Sequence, residues 1–276
     1  MMSNVLTELS AALATAVSQS DSSIVRVEGR RRLGATGIVW GEGLILTANH
    51  VVSRDDSLKI GLPNGEHASA SLVGRDPSTD LALLKTDASG LTPLTESNKQ
   101  ELGVGNLVLA LGRPGRTVQA TLGIVSALGE GWRTQLGGQI DRYLQTDVVM
   151  YPGFSGGPLV DAAGQLIGLN TSALGRGVSL AIPTATLARV AEALQAHGRV
   201  QRGYLGVSTQ RVHLPDNLKA ELNQKRGLLI VSVESDSPAA QAGLTLGDTL
   251  VTFAGSPVQS HDDLLALLAG DVVGTA

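Results

Sequence analysis

Short aliphatic runs divided by turn residues are the feature that most constrains the fold. Between residues 24 and 182 the chain repeats runs of Val, Ile, Leu and Ala, separated by turns such as Pro63-Asn64-Gly65 and Asp161-Ala162-Ala163-Gly164. The 276 residues include 34 glycines without a fixed period, and aromatic residues make up only 3%. Such a chain needs an aliphatic core and many tight turns. The pattern therefore predicts a mainly β protein.

The runs fall into two sets of six. Two sets of six strands are typical of two small antiparallel β-barrels packed together, and the polar residues 91–106 would connect them. The predicted strands are 24–27, 36–40, 44–48, 58–62, 68–73 and 81–85 in the first set, and 107–111, 117–128, 140–146, 157–160, 165–171 and 177–182 in the second.

An amphipathic helix is predicted over residues 1–19. Leu6, Leu9, Leu13 and Val17 share one face. The segment has no early Lys or Arg and is interrupted by Glu8, so we interpret it as a docking helix and not as a secretory signal. No run reaches the ~18 apolar residues of a membrane span. These features favour a cytoplasmic protein.

The barrels are followed by a helix and a second unit. A helix is predicted over 184–197, with Thr184 as N-cap and Gly198 as its stop. The first domain would span residues 20–198, a linker 199–203, and an α+β unit 204–276. In that unit, strands are predicted near 204–208, 228–233 and 249–253, and helices near 238–242 and 262–269.

Charge and composition exclude several functions. The net charge is −4, and the only basic block is Arg30-Arg31-Arg32, so nucleic acid is not an expected partner. The chain has no cysteine, which excludes disulfides, thiol catalysis and cysteine-based zinc sites. We predict no metal site and no cofactor.

The stretch Tyr151-Pro152-Gly153-Phe154-Ser155-Gly156-Gly157-Pro158-Leu159 is the main candidate for chemistry. Ser155 lies between glycines, which allow a backbone to approach a ligand closely. The N–H groups of Gly153 and Ser155 could hold the oxyanion of an acyl-transfer transition state. The alternative is a glycine-rich hairpin turn with an ordinary serine.

A serine nucleophile needs a base, and the base needs a carboxylate. His50 directly follows the apolar strand 44–48, and the alternative there is a satisfied core histidine. Asp80 lies where the turn 76–80 enters the buried run 81–84, and the alternative is a turn cap; Asp76 is its competitor. Of the remaining histidines, His67 suits a solvated face and His197 a helix end. His213 and His261 lie in the second unit, away from the serine.

The order His50, Asp80, Ser155 resembles the HtrA (Deg) family of trypsin-like serine peptidases. The second unit resembles the PDZ domain of that family. The resemblance implies two chymotrypsin-like barrels followed by a PDZ domain, with His50 as general base, Asp80 as its orienter, Ser155 as nucleophile, and an oxyanion hole at Gly153 and Ser155. The matching stretches are 37–40, 45–52, 76–85, 145–147, 153–159 and 180–183, with 203–207, 237–244 and 247–248 in the PDZ-like unit.

The resemblance also implies substrates, binding partners and a cellular location. Unfolded or damaged proteins would be cleaved through an acyl-enzyme, and the family is found in the periplasm or cell envelope. Relatives that cut after Lys or Arg carry an acid where this chain has Val149, so we expect a small aliphatic residue before the scissile bond (P1). Ser179 and Leu180 match the strand that pairs with substrate. Tyr204, Leu205, Gly206 and Val207 match the loop that receives a peptide's C-terminal carboxylate.

Two other functions stay open: a non-proteolytic, chaperone-like PDZ module that captures peptides, and an esterase with the same triad. Phe154 stands where the family usually has Asn or Asp. The family trimerises through aromatic residues near the start of the protease domain, and residues 1–39 contain none, which argues against a trimer. A PDZ fold needs another strand after 271–273, so we expect an incomplete and less stable second unit.

Overall fold

The computed structural model describes residues 2–31, 33–97, 102–175 and 177–268. The chain divides into two compact units, residues 1–200 and 201–276. The fold is mainly β: two closed six-stranded barrels of the chymotrypsin-like type in the first unit and a PDZ domain in the second. In the described ranges, no helix has the length and apolar character needed to span a bilayer.

The first barrel is antiparallel, with strand order β1-β2-β3-β6-β5-β4. It closes because β1 pairs with both β2 and β4. Strands β2, β3 and β6 are buried along nearly their whole length, whereas β5 begins with alternating exposed and half-buried residues. The strands are β1 (Ile24–Glu28), β2 (Ala35–Gly41), β3 (Leu44–Ala48), β4 (Leu58–Gly61), β5 (His67–Asp76) and β6 (Leu81–Lys85).

The second barrel has the order β11-β14-β13-β12-β7-β8, and β9 and β10 form a separate hairpin. The prediction of one strand over 140–146 was wrong, because the chain bends at Asp141. There the Thr186 hydroxyl accepts the Asp141 N–H at 2.9 Å and donates to its carboxylate at 2.6 Å. The strands are β7 (Leu107–Gly112), β8 (Gln119–Gly129), β9 (Trp132–Arg133), β10 (Gln139–Ile140), β11 (Tyr143–Thr146), β12 (Pro158–Asp161), β13 (Leu166–Thr171) and β14 (Ser179–Pro183).

Two helices flank the barrels. Helix α1 (Met2–Ser20) packs only its last turns, where Ala16 is 2% exposed, whereas Leu6 is 70% exposed. Helix α2 (Thr184–His197) buries one face in the largest core cluster, beside side chains of both barrels. Thr184 begins this helix but does not cap it; the N-cap is Pro183, which has no side-chain donor or acceptor. That cluster includes Leu46, Leu83, Leu169, Ile182, Leu187, Val190 and Leu194.

The second unit contains a three-stranded sheet, a two-stranded ribbon and three helices. Its first strand begins at Val207 and not near 204, and the helix Asp216–Leu222 was not predicted. The predicted strand after 271–273 lies outside the described residues. The elements are β15 (Val207–His213), α3 (Asp216–Leu222), β16 (Arg226–Val233), α4 (Pro238–Gln241), β17 (Thr249–Leu250), β18 (Thr252–Phe253), β19 (Ser256–Pro257) and α5 (His261–Leu267).

We expect the second unit to open more readily than the barrels. Its buried apolar cluster consists of Leu228, Val258 and Leu264 with partly buried neighbours, far smaller than the cluster shared by the barrels. Small cores give low local stability. Native-state hydrogen exchange should therefore show faster exchange of amides in β15 and β16 than in β3 and β6. Slower exchange in β15 and β16 would contradict this expectation.

Candidate active site

His50 and Asp80 form a hydrogen-bonded pair at one end of the first barrel. His50 lies in the short 3₁₀ turn Asn49–Val51 that follows β3. Its Nδ1 lies 2.8 Å from Asp80 Oδ2, and its backbone N–H donates to Asp80 Oδ1 at 2.9 Å. A carboxylate can only accept, so Nδ1 carries the ring proton and the Nε2 lone pair of a neutral ring stays free. The arrangement suits a general base.

Asp80 is held in an unusual backbone conformation. Its φ is +58°, in the left-handed region that few residues other than Gly, Asn and Asp adopt readily. Its carbonyl accepts the Asn49 N–H at 2.9 Å, which ties it to the histidine turn. The competitor Asp76 caps the same turn by accepting from the hydroxyls of Ser78 and Thr79, each at 2.8 Å. Asp80 is therefore the carboxylate that faces His50.

Thr171 is a neighbour of this pair that sequence reasoning missed. Its hydroxyl, at the end of β13, donates to the same Asp80 Oδ2 that faces His50. Asp80 is 3% exposed, so these bonds replace most of its hydration. A hydroxyl at the end of a predicted strand carries no distinctive signal, and only the pairing of β13 within the second barrel brings it to Asp80.

Ser155 lies 8% exposed on the turn before β12. Its carbonyl accepts the Thr36 N–H at 3.3 Å, and the next residue, Gly156, donates its N–H to Asn170 at 2.9 Å. The turn is thus attached to both barrels. The Ser155 hydroxyl lies 3.2 Å from the hydroxyl of Ser172, a second residue that the sequence did not single out.

For a nucleophilic Ser155, we expect Ser172→Ala to raise kcat/KM. Either hydroxyl can donate in this pair, and where Ser155 donates, Ser172 competes with a base for its proton; a neutral hydrogen bond contributes about 0.5–1.5 kcal/mol, so the gain should be about two- to twelvefold. Steady-state cleavage of a fluorogenic peptide would measure it. A fall in kcat/KM would show that Ser172 assists the nucleophile.

The turn before the serine leaves two N–H groups available. Tyr151 O accepts the Phe154 N–H at 3.0 Å, with Pro152 second and Gly153 third at a φ of +94°. This is the pattern of a type II turn. In the described part of the chain, neither the Gly153 N–H nor the Ser155 N–H has a protein acceptor. Two such donors beside a serine hydroxyl suit an oxyanion hole.

Phe154, the residue that departs from the family pattern, is a core residue. It is fully buried in the second barrel, and its ring packs edge-on against Tyr151 with centroids 5.9 Å apart. It also lies against Gly112, where a Cβ would come within 2.7 Å of the ring. The Phe154 side chain therefore anchors the turn to the core of the second barrel and does not enter the candidate active site.

Of the residues expected to meet substrate, Ser179 and Leu180 lie on β14, and Val149 lies in the segment after β11. Val149 is 55% exposed, and Leu180 is 5% exposed. The Ser179 hydroxyl donates to the carbonyl of Val148 at 2.8 Å, which joins β14 to the segment before the turn. The carboxylate of Asp147 accepts the backbone N–H of Ile124 at 2.6 Å and is thereby committed to β8.

The second unit holds the Tyr204–Val207 loop beside β15. The carbonyls of Leu205 and Gly206 accept from Ala239 at 3.0 Å and Glu234 at 2.8 Å, whereas the N–H groups of Leu205 and Gly206 have no acceptor within the described ranges. The Tyr204 hydroxyl donates to Glu234, and this bond raises the pKa of the phenol. Free amides at a strand start suit a carboxylate.

The imidazole of His261, the first residue of α5, bonds the carbonyl of Thr209 at 2.9 Å, so α5 lies alongside β15. Elsewhere, the residues that the structure describes contain no group of three or more His, Asp or Glu placed to hold a metal ion.

Comparison with known families matches both units. Residues 35–169 match the family described as "Trypsin-like peptidase domain", and residues 203–276 match "PDZ domain". A protein of Ectopseudomonas mendocina (strain ymp) named "Probable periplasmic serine endoprotease DegP-like" is 38% identical over 252 residues, which cover 88% of this chain and 52% of the relative. The chain thus spans about half the length of the curated relatives it matches.

Solved structures of similar size match closely. "HtrA-type protease AlgW with decapeptide" has a TM-score of 0.76 and 31% identity, covering 94% of this chain and 90% of its own. The serine endoprotease from Yersinia pestis has a TM-score of 0.75 and 32% identity, covering 93% and 88%.

Proposed function

Since the chain belongs to the HtrA/Deg family of trypsin-like serine proteases, we propose that it is a serine endopeptidase whose catalytic triad is His50, Asp80 and Ser155. The observation that carries the proposal is the doubly bonded His50–Asp80 pair, which Thr171 contacts, while the next residue, Ser172, contacts the Ser155 hydroxyl beside two unpaired N–H groups. An ordinary turn serine, or a histidine that is only a core residue, would not require this combination of features.

The chemistry follows from these groups. His50 Nε2 takes the Ser155 proton as Oγ attacks a peptide carbonyl, and Asp80 stabilises the imidazolium that forms. The N–H groups of Gly153 and Ser155 receive the oxyanion of the tetrahedral intermediate. His50 then gives its proton to the leaving amine, which leaves an ester on Ser155. Water, activated by the same histidine, hydrolyses that ester and restores the free serine.

Labelling with a fluorophosphonate probe tests this function. The wild-type chain should react, and Ser155→Ala and His50→Ala should not. Matched controls are Ser71→Ala, at an exposed strand position, and His67→Ala, whose ring is half exposed; both should label like the wild type. If the wild type stays unlabelled with and without an added C-terminal peptide, the chain is the non-proteolytic alternative.

We propose that the residue before the scissile bond is small and aliphatic. Val149 is uncharged, and the carboxylate of Asp147 is bonded to β8, so neither position offers a free carboxylate to pair with Lys or Arg. An unpaired charge is costly to desolvate. Peptides with Ala or Val at this position should be cleaved at least about tenfold faster than the same peptide with Arg, which is about 1.4 kcal/mol. A profiling assay that shows equal rates would contradict this preference.

For the second unit, we propose that β15 and α5 form the walls of a groove for C-terminal peptides, with the carboxylate on the N–H groups of the Tyr204–Val207 loop. The peptide would add as a strand to β15. Unfolded or damaged proteins are the proposed substrates. The names of the curated relatives support the periplasm as the proposed location, against the cytoplasmic expectation from residues 1–19.

A further inference from the structure

We propose that Thr36 is a positioning residue for the oxyanion turn, an inference that rests on the proposed function. Thr36 is fully buried near the start of β2, in the first barrel, and no sequence motif drew attention to its side chain. Its hydroxyl donates to the carbonyl of Gly153 at 2.7 Å and accepts the backbone N–H of Arg113 at 2.8 Å. One oxygen thus joins the nucleophile turn to the end of β7.

The bond to Gly153 limits how the turn can move. The peptide between Gly153 and Phe154 is held at both ends, its oxygen by Thr36 and its nitrogen by Tyr151. The Gly153 N–H belongs to the preceding peptide, and the two peptides meet at the Gly153 Cα, so a shift of the Gly153 carbonyl would displace that Cα and the N–H with it. The Thr36 hydroxyl therefore holds the Gly153 backbone, and through it the N–H, in the position that the proposed oxyanion hole needs.

The role needs a small side chain that both donates and accepts a hydrogen bond. Arg113 presents a donor and Gly153 presents an acceptor, so the group between them must accept one hydrogen bond and donate another. Serine meets that requirement, whereas alanine and valine leave two buried backbone groups unpaired. The requirement explains the residue type at position 36 without any reference to substrate.

Arg113, whose backbone N–H donates to the Thr36 hydroxyl, is itself held in place by several hydrogen bonds. Its guanidinium is 2% exposed and bonds the carbonyls of Ile24 at 2.7 Å and Arg116 at 2.7 Å, and the carboxylate of Asp21 at 2.7 Å. The backbone N–H that meets Thr36 is thus rigidly held. The oxyanion turn is connected through Thr36 and Arg113 to the segment that follows α1.

The test compares Thr36→Ser with Thr36→Ala, which differ by one oxygen, and adds the isosteric Thr36→Val. We expect Thr36→Ser to keep kcat/KM within about threefold of the wild type, and the other two to lose about 10- to 100-fold, mainly in kcat. Affinity for a peptide aldehyde, which forms an oxyanion on Ser155, should fall by the same factor. Affinity for an uncleaved peptide in a Ser155→Ala background should not change.

A second readout does not depend on turnover. Hydrogen exchange of the Phe154 amide should speed up in Thr36→Ala and Thr36→Val but not in Thr36→Ser. This measurement tests the inference even if the wild type does not react with the fluorophosphonate probe and the proposed function is wrong. Thr36→Ser as impaired as Thr36→Ala would show that the methyl group matters and would overturn the inference. Thr36→Ala with wild-type kcat and wild-type Phe154 exchange would overturn it as well.

Discussion

Replacing Asp80 with asparagine should lower kcat by about four orders of magnitude, as expected when the orienting carboxylate of a serine triad is lost. Asp80 Oδ2 accepts the proton on His50 Nδ1. An asparagine amide group placed there would donate instead, and the ring would move its proton to Nε2. The base would then have no lone pair for the Ser155 hydroxyl.

The Asp80→Asn substitution should lower the rate of catalysis without disturbing the fold. Asparagine tolerates the left-handed backbone of position 80 as well as aspartate does, and its oxygen can still accept from the His50 N–H. The control is Asp76→Asn, in the same turn, which should leave kcat within a fewfold of the wild type. Single-turnover cleavage and a thermal melt would give both quantities. A loss below tenfold in Asp80→Asn would rule out the proposed role of this carboxylate.

Replacing Gly156 with alanine should destabilise the first unit by about 4 kcal/mol, a lowering of Tm by about 10 °C for a unit of this size. The residue has a φ of +89°, and a Cβ would lie 2.1 Å from Thr36 O and 2.4 Å from Thr47 Oγ1. Neither atom is at the end of a flexible side chain that can swing aside, since Thr47 Oγ1 itself bonds Thr36 O at 2.6 Å.

Two other glycines separate the causes of that effect. Gly90 has a φ of +76° with no atom near its Cβ position, so Gly90→Ala adds backbone strain alone and should cost about 1 kcal/mol. Gly115 also has open space and no left-handed φ, so Gly115→Ala should stay within about 0.5 kcal/mol of the wild type. Equal melting temperatures for Gly156→Ala and Gly115→Ala would contradict the packing argument.

Short aliphatic runs and turn residues were enough to predict both barrels. Strands β3 and β6 begin and end where the pattern places them, because each is a buried run bounded by turns. The bend at Asp141 could not be predicted, since it depends on Thr186, a residue distant in sequence. Helix α1 follows its predicted bounds closely, but amphipathic spacing cannot show how much of an apolar face finds a partner.

The candidate site likewise contains residues that the sequence predicts and residues that only the fold reveals. His50 and Asp80 stand out because ionisable residues there adjoin buried runs, and Ser155 stands out because glycines lie on both sides of it. Thr36, Thr171 and Ser172 are hydroxyl residues of ordinary type, and their contacts exist only once β2 and β13 are paired within the two barrels. Their roles come from the backbone groups and carboxylate they meet, which a single sequence does not reveal.

The largest core cluster combines side chains of β3 and β6, of β13 and β14, and of α2. The second barrel also has a smaller cluster of its own around Phe154, but because the largest cluster is shared, the two barrels should melt in one cooperative transition. Trp40 and Trp132 both pack against this cluster, so tryptophan fluorescence should follow that transition. His50 and Asp80 come from one barrel and Ser155 from the other. The alignment of the proposed triad then depends on the shared cluster, so loosening of that cluster should inactivate the chain.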